Sequence, residues 1–292
     1  MRSLLFVPGD SEKKFAKAMA CGADVLILDL EDSVVPSAKE AARQTVRAAI
    51  GTARRAKTGP RIYVRVNPLD SGLIEADLDT VIPAQPDGIM LPKARGGQDI
   101  MHLSTKLAVR EAESDLPDGA IAILPIATES ASALFNMGSY AGSSGRLSGL
   151  TWGAEDLSAD IGSLTSRLAD GAYTDPYRLA RALALFAATA AEVAPIDTVF
   201  TNFRDQAGLV AECEAARRDG FTGKLAIHPD QVAAINAAFT PSSEAIARAR
   251  RIIEAFAANP EIGVLGVDGE MVDRPHIKRA ERLLAAARGA EG

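Results

Sequence analysis

Short hydrophobic runs alternate along the chain with longer stretches that mix hydrophobic and polar residues. The short runs are aliphatic or β-branched, and there are eight of them. Runs of this length that are apolar throughout are typical of strands buried on both faces of a parallel sheet. The predicted strands are Leu4–Val7, Val25–Leu30, Ile62–Val66, Gly88–Leu91, Ile121–Ile126, Leu147–Thr151, Thr198–Thr201 and Leu225–Ile227.

The stretches between these runs have apolar residues at three- and four-residue spacing, which is the period of an amphipathic helix. The clearest are Glu12–Ala20, Ser37–Ala49, Ile100–Glu113, Pro176–Glu192 and Gly208–Arg218. Eight strands that alternate with helices indicate an α/β protein with a parallel sheet. We predict a closed (β/α)8 TIM barrel over residues 1–240, with a doubly wound open sheet as the second possibility.

The chain continues beyond the eighth strand–helix unit. Residues Pro241–Asn259 predict a further helix that starts with Pro-Ser-Ser-Glu, and Pro275–Arg288 predict a basic final helix. A glycine-punctuated segment, Gly263–Gly269, lies between them. We therefore interpret residues 241–292 as a C-terminal helical extension, which has to pack on its own barrel or on a neighbouring subunit.

Composition and charge narrow the range of functions. With 292 residues, of which 47% are hydrophobic and 24% charged, the chain is long enough for one barrel with a substantial core. Its formal net charge of -6 argues against a general nucleic-acid or anionic-membrane binder, since such binding needs an excess of Lys and Arg. No apolar stretch approaches the roughly 20 residues of a membrane span, and the N-terminal apolar run is too short for a secretion signal. We expect a cytoplasmic protein.

Several reaction classes lack their sequence motifs. The chain has no G-x-G-x-x-G, no Walker G-x-x-x-x-G-K-[ST], no H-E-x-x-H and no G-x-S-x-G after a strand. Nucleotide hydrolysis and serine hydrolysis therefore have no support. Only three histidines occur, which argues against a histidine-rich metal site. One of them, His228, ends the eighth predicted strand, and both a loop role and a functional role stay open for it.

Polar residues stand at the carboxyl ends of nearly all the predicted strands, where the active sites of TIM barrels lie. Turns also favour Asn and Asp, so each residue by itself has a purely structural explanation. Taken together they predict a site at the barrel mouth. The residues are Asp29, Glu31, Asp32, Arg65, Asn67, Lys93, Glu129, Asp156, Asn202, Asp205 and His228.

Two of these residues are lone carboxylates on neighbouring strand ends. Glu129 and Asp156 together can chelate a hard divalent cation and leave its other positions to water and substrate, as Mg2+ prefers. Asp156 also stands where a helix can start, so a capping role is open for it. Arg65 lies inside an aliphatic run, where a buried guanidinium needs an anionic partner. That partner is a carboxylate of the chain such as Glu31, a substrate carboxylate, or both.

Seven short motifs occur in order along almost the whole chain: Arg2–Gly9, Leu28–Val34, Val64–Asn67, Met90–Lys93, Gly153–Leu157, Ala226–Pro229 and Asp268–Pro275. Together they resemble the citrate lyase β-subunit-like (HpcH/HpaI aldolase/citrate lyase) family, which includes malyl-CoA and citramalyl-CoA lyases. The stretch Ser166–Tyr173 is most similar to stand-alone bacterial members of that family. Where the family often has Ile-Glu-Thr after the fifth strand, this chain has Thr128-Glu129-Ser130, which keeps the glutamate.

The resemblance implies a barrel of the pyruvate/phosphoenolpyruvate superfamily with a magnesium site. Glu129 and Asp156 are expected to hold Mg2+, with Mn2+ as an alternative ion, and Arg65 is expected to contact a substrate carboxylate. Lys14 and Lys17 fall on the helix near which the family binds the coenzyme A phosphates. The resemblance also implies a homotrimer or hexamer, with small-molecule acyl-CoA and 2-oxo-acid partners.

For the activity, the resemblance implies reversible Claisen- or aldol-type cleavage of a carboxylated 3-hydroxyacyl-CoA, such as citramalyl-, malyl- or citryl-CoA. The family's C-terminal segment reaches over a neighbouring barrel, so Asp273 is expected to act there as an acid/base group. Asp29, Glu31 and Asp32 are the alternatives for that proton transfer. Asp29 is further expected to contact substrate, and Glu31 and Asp32 are expected to orient Arg65 or metal-bound water.

Three other functions fit the same residues. A thioesterase or synthase would use the same site and release free coenzyme A. A metal-dependent aldolase would act on free hydroxy-oxo acids without coenzyme A. A non-catalytic assembly subunit of a citrate lyase complex would have lost a metal ligand, but Glu129 and Asp156 are both present.

Overall fold

A computed structural model of the chain describes residues 1–56 and 58–291, with side chains up to residue 287. The main sheet has eight parallel strands in the order β5-β4-β3-β2-β1-β8-β7-β6. The strands are β1 (Ser3–Pro8), β2 (Val25–Asp29), β3 (Arg61–Arg65), β4 (Gly88–Leu91), β5 (Ala122–Pro125), β6 (Gly149–Thr151), β7 (Ala194–Asp197) and β8 (Gly223–Ala226).

The two edges of this sheet meet. Parallel bridges join Ile123 to Leu147 and Ile126 to Thr151, at the two ends of β5 and β6. The Ile123 amide donates to the Arg146 carbonyl at 2.8 Å, which adds a ladder bond between the edges. The sheet is therefore a (β/α)8 TIM barrel, as predicted, and not a doubly wound open sheet.

Most of the helices surround the barrel, because their apolar faces cover the outer side of the strands. The helices are α1 (Glu12–Ala18), α2 (Lys39–Ala56), α3 (Ile74–Val81), α4 (Gly97–Glu113), α5 (Ala131–Leu134), α6 (Glu155–Ile161), α7 (Asp175–Ala190), α8 (Gln206–Asp219), α9 (Val232–Phe239), α10 (Ser243–Ala258) and α11 (Arg274–Glu291). Inside the barrel, a second core is built from inward-facing strand residues such as Ile27, Tyr63, Met90 and Leu124. The interior is thus filled by side chains, which leaves the barrel mouth for chemistry.

The prediction for the seventh strand was wrong. We predicted Thr198–Thr201, but the strand is Ala194–Asp197. The segment Ala-Pro-Ile-Asp has a weaker β signal than Thr-Val-Phe-Thr, because it contains a proline and an aspartate. Pro195 is tolerated because its carbonyl still accepts the Thr222 amide at 2.9 Å. The misread segment instead forms part of the barrel mouth.

The C-terminal elements form a small unit of their own. Helices α10 and α11 pack with an antiparallel hairpin, β9 (Val264–Val267) and β10 (Glu270–Asp273). They share a separate core of Ala249, Ile252, Phe256, Val267, Val272 and Ala280. The predicted domain boundary at residues 240 and 241 stays a prediction, although this separate core is compatible with it.

The hairpin has two different faces. Val272 is fully buried in the C-terminal core. Its two neighbours in the strand, Met271 and Asp273, belong to the opposite face. Asp273 pairs with Val264 across the hairpin, so Val264 shares that outer face.

None of the helices in the described residues has the length and apolar character needed to cross a membrane.

Candidate active site

One cavity of about 360 Å³ lies at the carboxyl ends of the barrel strands. Residues that follow different strands line it, so the barrel brings together groups that are distant in sequence. They include Arg65 at the end of β3, Glu129 after β5 and Asp156 after β6. With Asp32, four of the predicted site residues therefore share one cavity.

Glu129 is buried among other acidic groups. Its side chain is only 7% exposed, and its Oε2 accepts the backbone N–H of Lys93 at 2.5 Å. Burial raises the pKa of Glu129 to about 8, and the negative charges of Asp156 and Glu31 add to this shift. A carboxyl group in this position is stabilised as an anion when a cation lies beside it.

A small residue makes room next to Glu129. A Cβ atom on Gly153 would lie 3.2 Å from Glu129 Cγ, so any larger residue would press on the carboxylate arm. Asp156 stands in the first turn of α6 and remains partly exposed to the cavity. Buried Glu129 and open Asp156 fit a hard cation that takes its other ligands from water and substrate. Within the described residues, no group of three or more His, Cys, Asp or Glu side chains is arranged to hold a metal ion.

Arg65 is surrounded by carboxylates. Its Nε and Nη2 donate to the two oxygens of Asp29, both at 2.7 Å, which is a bidentate pair. Its Nη1 lies 2.9 Å from Glu31 and 3.7 Å from Asp32. The ring of Phe6 lies 4.9 Å from the guanidinium carbon. The structure thus gives Arg65 carboxylate partners within the chain. This was one of the two kinds of partner expected for it, and a substrate carboxylate was the other.

Asp29 lies behind Arg65 and is 2% exposed. Burial alone would raise the pKa of Asp29, but the hydrogen bonds and charge of Arg65 outweigh burial and lower it. Asp29 is therefore an ionised carboxylate that fixes the arginine. A direct contact between Asp29 and substrate stays a prediction, and this burial favours a supporting role for the residue.

Lys93 has a larger place in the site than the sequence indicated. Its Nζ lies 2.6 Å from Glu31 and 3.9 Å from Asp156, so it joins two acidic residues of the mouth. The backbone of Lys93 has a positive φ of 53°, which is unusual for a residue other than glycine. Such strain is often kept at functional sites. The sequence signal was only a lysine at a strand end, without a partner to give it a role.

Other polar strand-end residues have structural roles. Asn67 donates to the Asp77 carboxylate at 2.7 Å, below the mouth. Asp205 caps α8 by accepting the Gly208 amide at 2.9 Å. His228 caps a short turn and stacks on Phe203 with ring centres 4.8 Å apart. These contacts are compatible with structural roles for Asn67 and Asp205, and a functional role for His228 stays open.

The remaining predicted residues lie outside the main cavity of this chain. Lys14 and Lys17 line a separate groove of about 320 Å³ beside His228 and Pro8. Asp273 ends β10 in the C-terminal unit, where its Oδ1 lies 2.5 Å from Nδ1 of His276. The structure of one chain therefore does not bring Asp273 to the residues that line its own cavity.

Sequence reasoning missed one side of the cavity. Arg167 and Tyr173 line it from the segment between α6 and α7, and Trp152 lines it from the end of β6. The Arg167 guanidinium lies 3.9 Å from the centre of the Tyr173 ring. The sequence gives the stretch Ser166–Tyr173 only a family resemblance, because nothing in its local pattern shows that it lines the barrel mouth.

The structure is a TIM barrel with a cavity at its mouth, and the carboxylates Glu129 and Asp156 line this cavity. The chain belongs to the HpcH/HpaI aldolase/citrate lyase family, whose model matches residues 2–229. A second model, described as a C-C bond lyase of the TIM-barrel fold, matches residues 172–289. The family resemblance inferred from the motifs is thereby confirmed.

Two similar proteins have related activities in their names. A (3S)-malyl-CoA thioesterase of Cereibacter sphaeroides is 37% identical over 293 residues, which cover 98% of this chain and 94% of that protein. The mitochondrial citramalyl-CoA lyase of Rattus norvegicus is 31% identical over 303 residues, covering 98% of this chain and 86% of the lyase.

A solved structure is similar over the same length. The CitE protein of Mycobacterium tuberculosis, in complex with magnesium, acetoacetate and coenzyme A, has a TM-score of 0.77 and 34% sequence identity, and covers 98% of each chain. The expectation that magnesium and coenzyme A belong to this family is confirmed by that complex. The trimeric or hexameric assembly stays a prediction.

Proposed function

We propose that the protein is a magnesium-dependent carbon–carbon lyase that cleaves a carboxylated 3-hydroxyacyl-CoA reversibly into an acyl-CoA and a 2-oxo acid. The observation that carries this proposal is the pairing of buried Glu129 with Asp156 in the same cavity as Arg65. Citramalyl-, malyl- and citryl-CoA all have the required hydroxyl, carboxylate and thioester groups.

Glu129 and Asp156 would hold Mg2+, or Mn2+ in its place. When bound, such an ion acts as a Lewis acid for the carboxylate and oxygen of a 2-oxo acid. The raised pKa of Glu129 supports this assignment, because a nearby divalent charge would offset both its burial and the charge of Asp156.

Arg65 would stabilise negative charge on the substrate, and its neighbours hold it in place for this task. The bidentate pair with Asp29 fixes the guanidinium plane, and Glu31 lies close to Nη1. Donors that are fixed before reaction need no reorganisation when charge develops. Asp32 is exposed at the mouth and would orient water or substrate there. Glu31 and Asp32 are thus assigned supporting roles.

Asp273 would act as the acid/base group in the site of a neighbouring subunit. The hairpin supports this placement, because the face that carries Asp273 is not covered by its own unit. On that face Met271 is 75% exposed and Val264 is 50% exposed. Exposed apolar residues beside a carboxylate suit a contact with a second copy of the chain in a homotrimer or hexamer.

The groove that contains Lys14 and Lys17 would receive the coenzyme A phosphates. Both lysines lie on α1 and line the groove together with His228, and Phe6 lines both this groove and the main cavity. A substrate could therefore place its phosphates on the lysines and its acyl end in the cavity. Lysine is a common point-charge partner for phosphate.

Hydrolysis is the second candidate, and the similarity to the Cereibacter sphaeroides malyl-CoA thioesterase favours it. The same residues would then direct water to the thioester, and free coenzyme A would be a product. The two candidates differ in what they release, so product analysis separates them.

The test is a panel of citramalyl-, malyl- and citryl-CoA with Mg2+ or with EDTA, analysed by mass spectrometry. We expect an acyl-CoA and a 2-oxo acid only with metal, and a loss of at least about 1,000-fold in Glu129→Gln, which removes a ligand charge. Asp175→Asn, at an exposed position that starts α7, is the matched control and should keep full activity. Free coenzyme A as the main product would favour the thioesterase, and equal activity in EDTA would contradict the proposal.

A further inference from the structure

The cavity contains a second arginine, which the proposed reaction has not used. Arg167 lines the same cavity as Glu129 and Asp156, and its side chain is 27% exposed. It comes from the segment between α6 and α7 and not from a strand end. Its side chain thus borders the space that a substrate would occupy.

Aromatic side chains hold Arg167 in one orientation. The guanidinium carbon lies 3.9 Å from the Tyr173 ring centre, and Nη2 donates to the Tyr173 hydroxyl at 2.5 Å. The Tyr173 ring in turn packs edge-on against Trp152 with centres 5.0 Å apart. A planar, fixed guanidinium is suited to binding a carboxylate through two parallel hydrogen bonds.

Arg167 shares its carboxylate partner with a second cation. Its carboxylate partner is Glu212, whose Oε2 lies 2.8 Å from Nη1. The other oxygen of Glu212 accepts a hydrogen bond from the Lys224 ammonium at 2.8 Å. Lys224 is fully buried, so it depends on this shared carboxylate for its own stabilisation. One carboxylate therefore serves two cations.

The rest of the cluster has no spare negative charge for Arg167. Lys224 also pairs with buried Asp197 at 3.1 Å, and Asp197 is shared with Arg181 at 3.2 Å. The further partner of Arg181 is Asp219, which lies 2.6 Å from it and is partly exposed to solvent. Glu212 and Asp197 are thus each shared between two cations.

The Nε/Nη2 edge of Arg167 keeps two N–H donors for a ligand, because within the described residues Nη2 is hydrogen-bonded only to the Tyr173 hydroxyl. Nη1 is engaged by the Gly171 carbonyl at 2.8 Å and by Glu212. For Nε, the described part of the chain provides no hydrogen-bond partner. In Arg65, by contrast, Nε and Nη2 are both taken by Asp29. The cavity therefore has an acidic region around its metal-binding pair and a separate region with an available guanidinium.

We propose that Arg167 binds a second carboxylate of the substrate and so selects a dicarboxylic 2-oxo-acid unit over a monocarboxylic one. This assignment rests on the proposed function, in which the first carboxylate lies at the ion held by Glu129 and Asp156. The preferred substrates are then 3-hydroxyacyl-CoA compounds with an additional carboxylate arm. Arg167 is a specificity-determining residue, and the bond-breaking steps do not depend on it.

The test uses oxaloacetate and pyruvate, which differ by one carboxylate, in calorimetric titrations with Mg2+ and freshly dissolved acids. We expect the wild-type protein to bind oxaloacetate more tightly than pyruvate. In Arg167→Gln, oxaloacetate affinity should fall at least about tenfold, as expected for loss of a charge-assisted hydrogen bond, while pyruvate affinity stays within about twofold. Arg167→Lys keeps the charge without the fork and should lie between the two.

Controls separate this inference from the proposed function. Arg178→Gln removes an exposed arginine on α7 outside the cavity and should change neither affinity. Pyruvate binding by Arg167→Gln reports that the variant is folded. If Arg167→Gln loses affinity equally for both acids, or for neither, the inference about Arg167 is wrong and the proposed function is unaffected. If the wild-type protein binds neither acid with Mg2+, the proposed function fails and the inference fails with it.

Discussion

Arg65 and Arg167 line one cavity, but their surroundings differ. Arg65 is held by both oxygens of Asp29 and lies near two more carboxylates. Arg167 has one carboxylate partner, Glu212, which it shares with a buried lysine. Two identical side chains therefore have different capacities to bind an anion. The first is a fixed part of an acidic framework, and the second has hydrogen-bond donors left for a ligand.

The comparison shows why the residue type alone does not establish a role. A guanidinium whose charge is already matched can orient neighbours and stabilise charge that develops nearby, but it gains little from another resting carboxylate. A guanidinium that shares its carboxylate partner and keeps N–H donors free in a cavity gains more. Each of the predictions below changes one side of this comparison.

The largest expected effect concerns the buried lysine behind Arg167. Lys224→Met leaves Asp197 and Glu212 with one cation fewer, and breaking a buried ion pair costs about 3–5 kcal/mol. We expect a loss of this size in the free energy of unfolding, measured by urea denaturation. Glu212 would then be matched by Arg167 alone, so the preference for oxaloacetate should also decrease. Unchanged stability would contradict the shared-carboxylate description.

The next effect concerns the acidic side. Arg65→Lys keeps the positive charge but cannot form the bidentate pair with Asp29, so the charge is no longer fixed. We expect kcat to fall by about 100-fold with substrate cleavage as the measurement. Arg43→Lys is a matched control, because Arg43 is buried and pairs with Asp77 away from the cavity. It should lower stability while kcat stays within about twofold, and a similar kcat loss in both variants would argue against a special role for Arg65.

The smallest effect tests the metal-binding pair through pH. The pKa of Glu129 is raised to about 8, so the folded protein without metal binds more protons than the unfolded chain between about pH 4.5 and 8. This group therefore stabilises the fold at low pH, and its contribution is lost as pH rises through the folded-state pKa. Bound Mg2+ would offset the loss.

The expected result is a rise in Tm on adding Mg2+ that is about 2–4 °C larger at pH 8.5 than at pH 5.5. Differential scanning fluorimetry is a suitable measurement. In Glu129→Gln the rise should be small at both pH values, because one of the two proposed ligand carboxylates is absent. A rise that decreases with pH would place the ion elsewhere.

Much of the fold could be predicted from local patterns. Seven of the eight barrel strands lie within or beside the runs read from the sequence, because strands buried on both faces are continuous apolar segments. The seventh was misplaced because Pro195 and Asp197 weaken its β signal. The burial of Asp197 under Trp152, Arg181 and Lys224 makes that aspartate favourable in the strand.

The candidate site was also predicted in part, because its strand-end residues could be read from the sequence. Glu129, Asp156, Arg65 and Asp32 stand at strand ends, and a barrel brings all strand ends to one mouth. Lys93 was seen only as one more polar residue, since its contact with Glu31 depends on the distance between two strands. Arg167 was missed because a loop residue has no periodic pattern to place it.

The sequence by itself therefore determined the alternation of strands and helices, the family and the carboxylate pair at the mouth, because each depends on local spacing or on ordered motifs. The tertiary structure decided which charges remain available. Asp29 fully engages one edge of Arg65, whereas Glu212 is shared between Arg167 and Lys224. These partners come from different strands and helices, and electrostatic matching depends on distance and burial, which only the folded chain establishes.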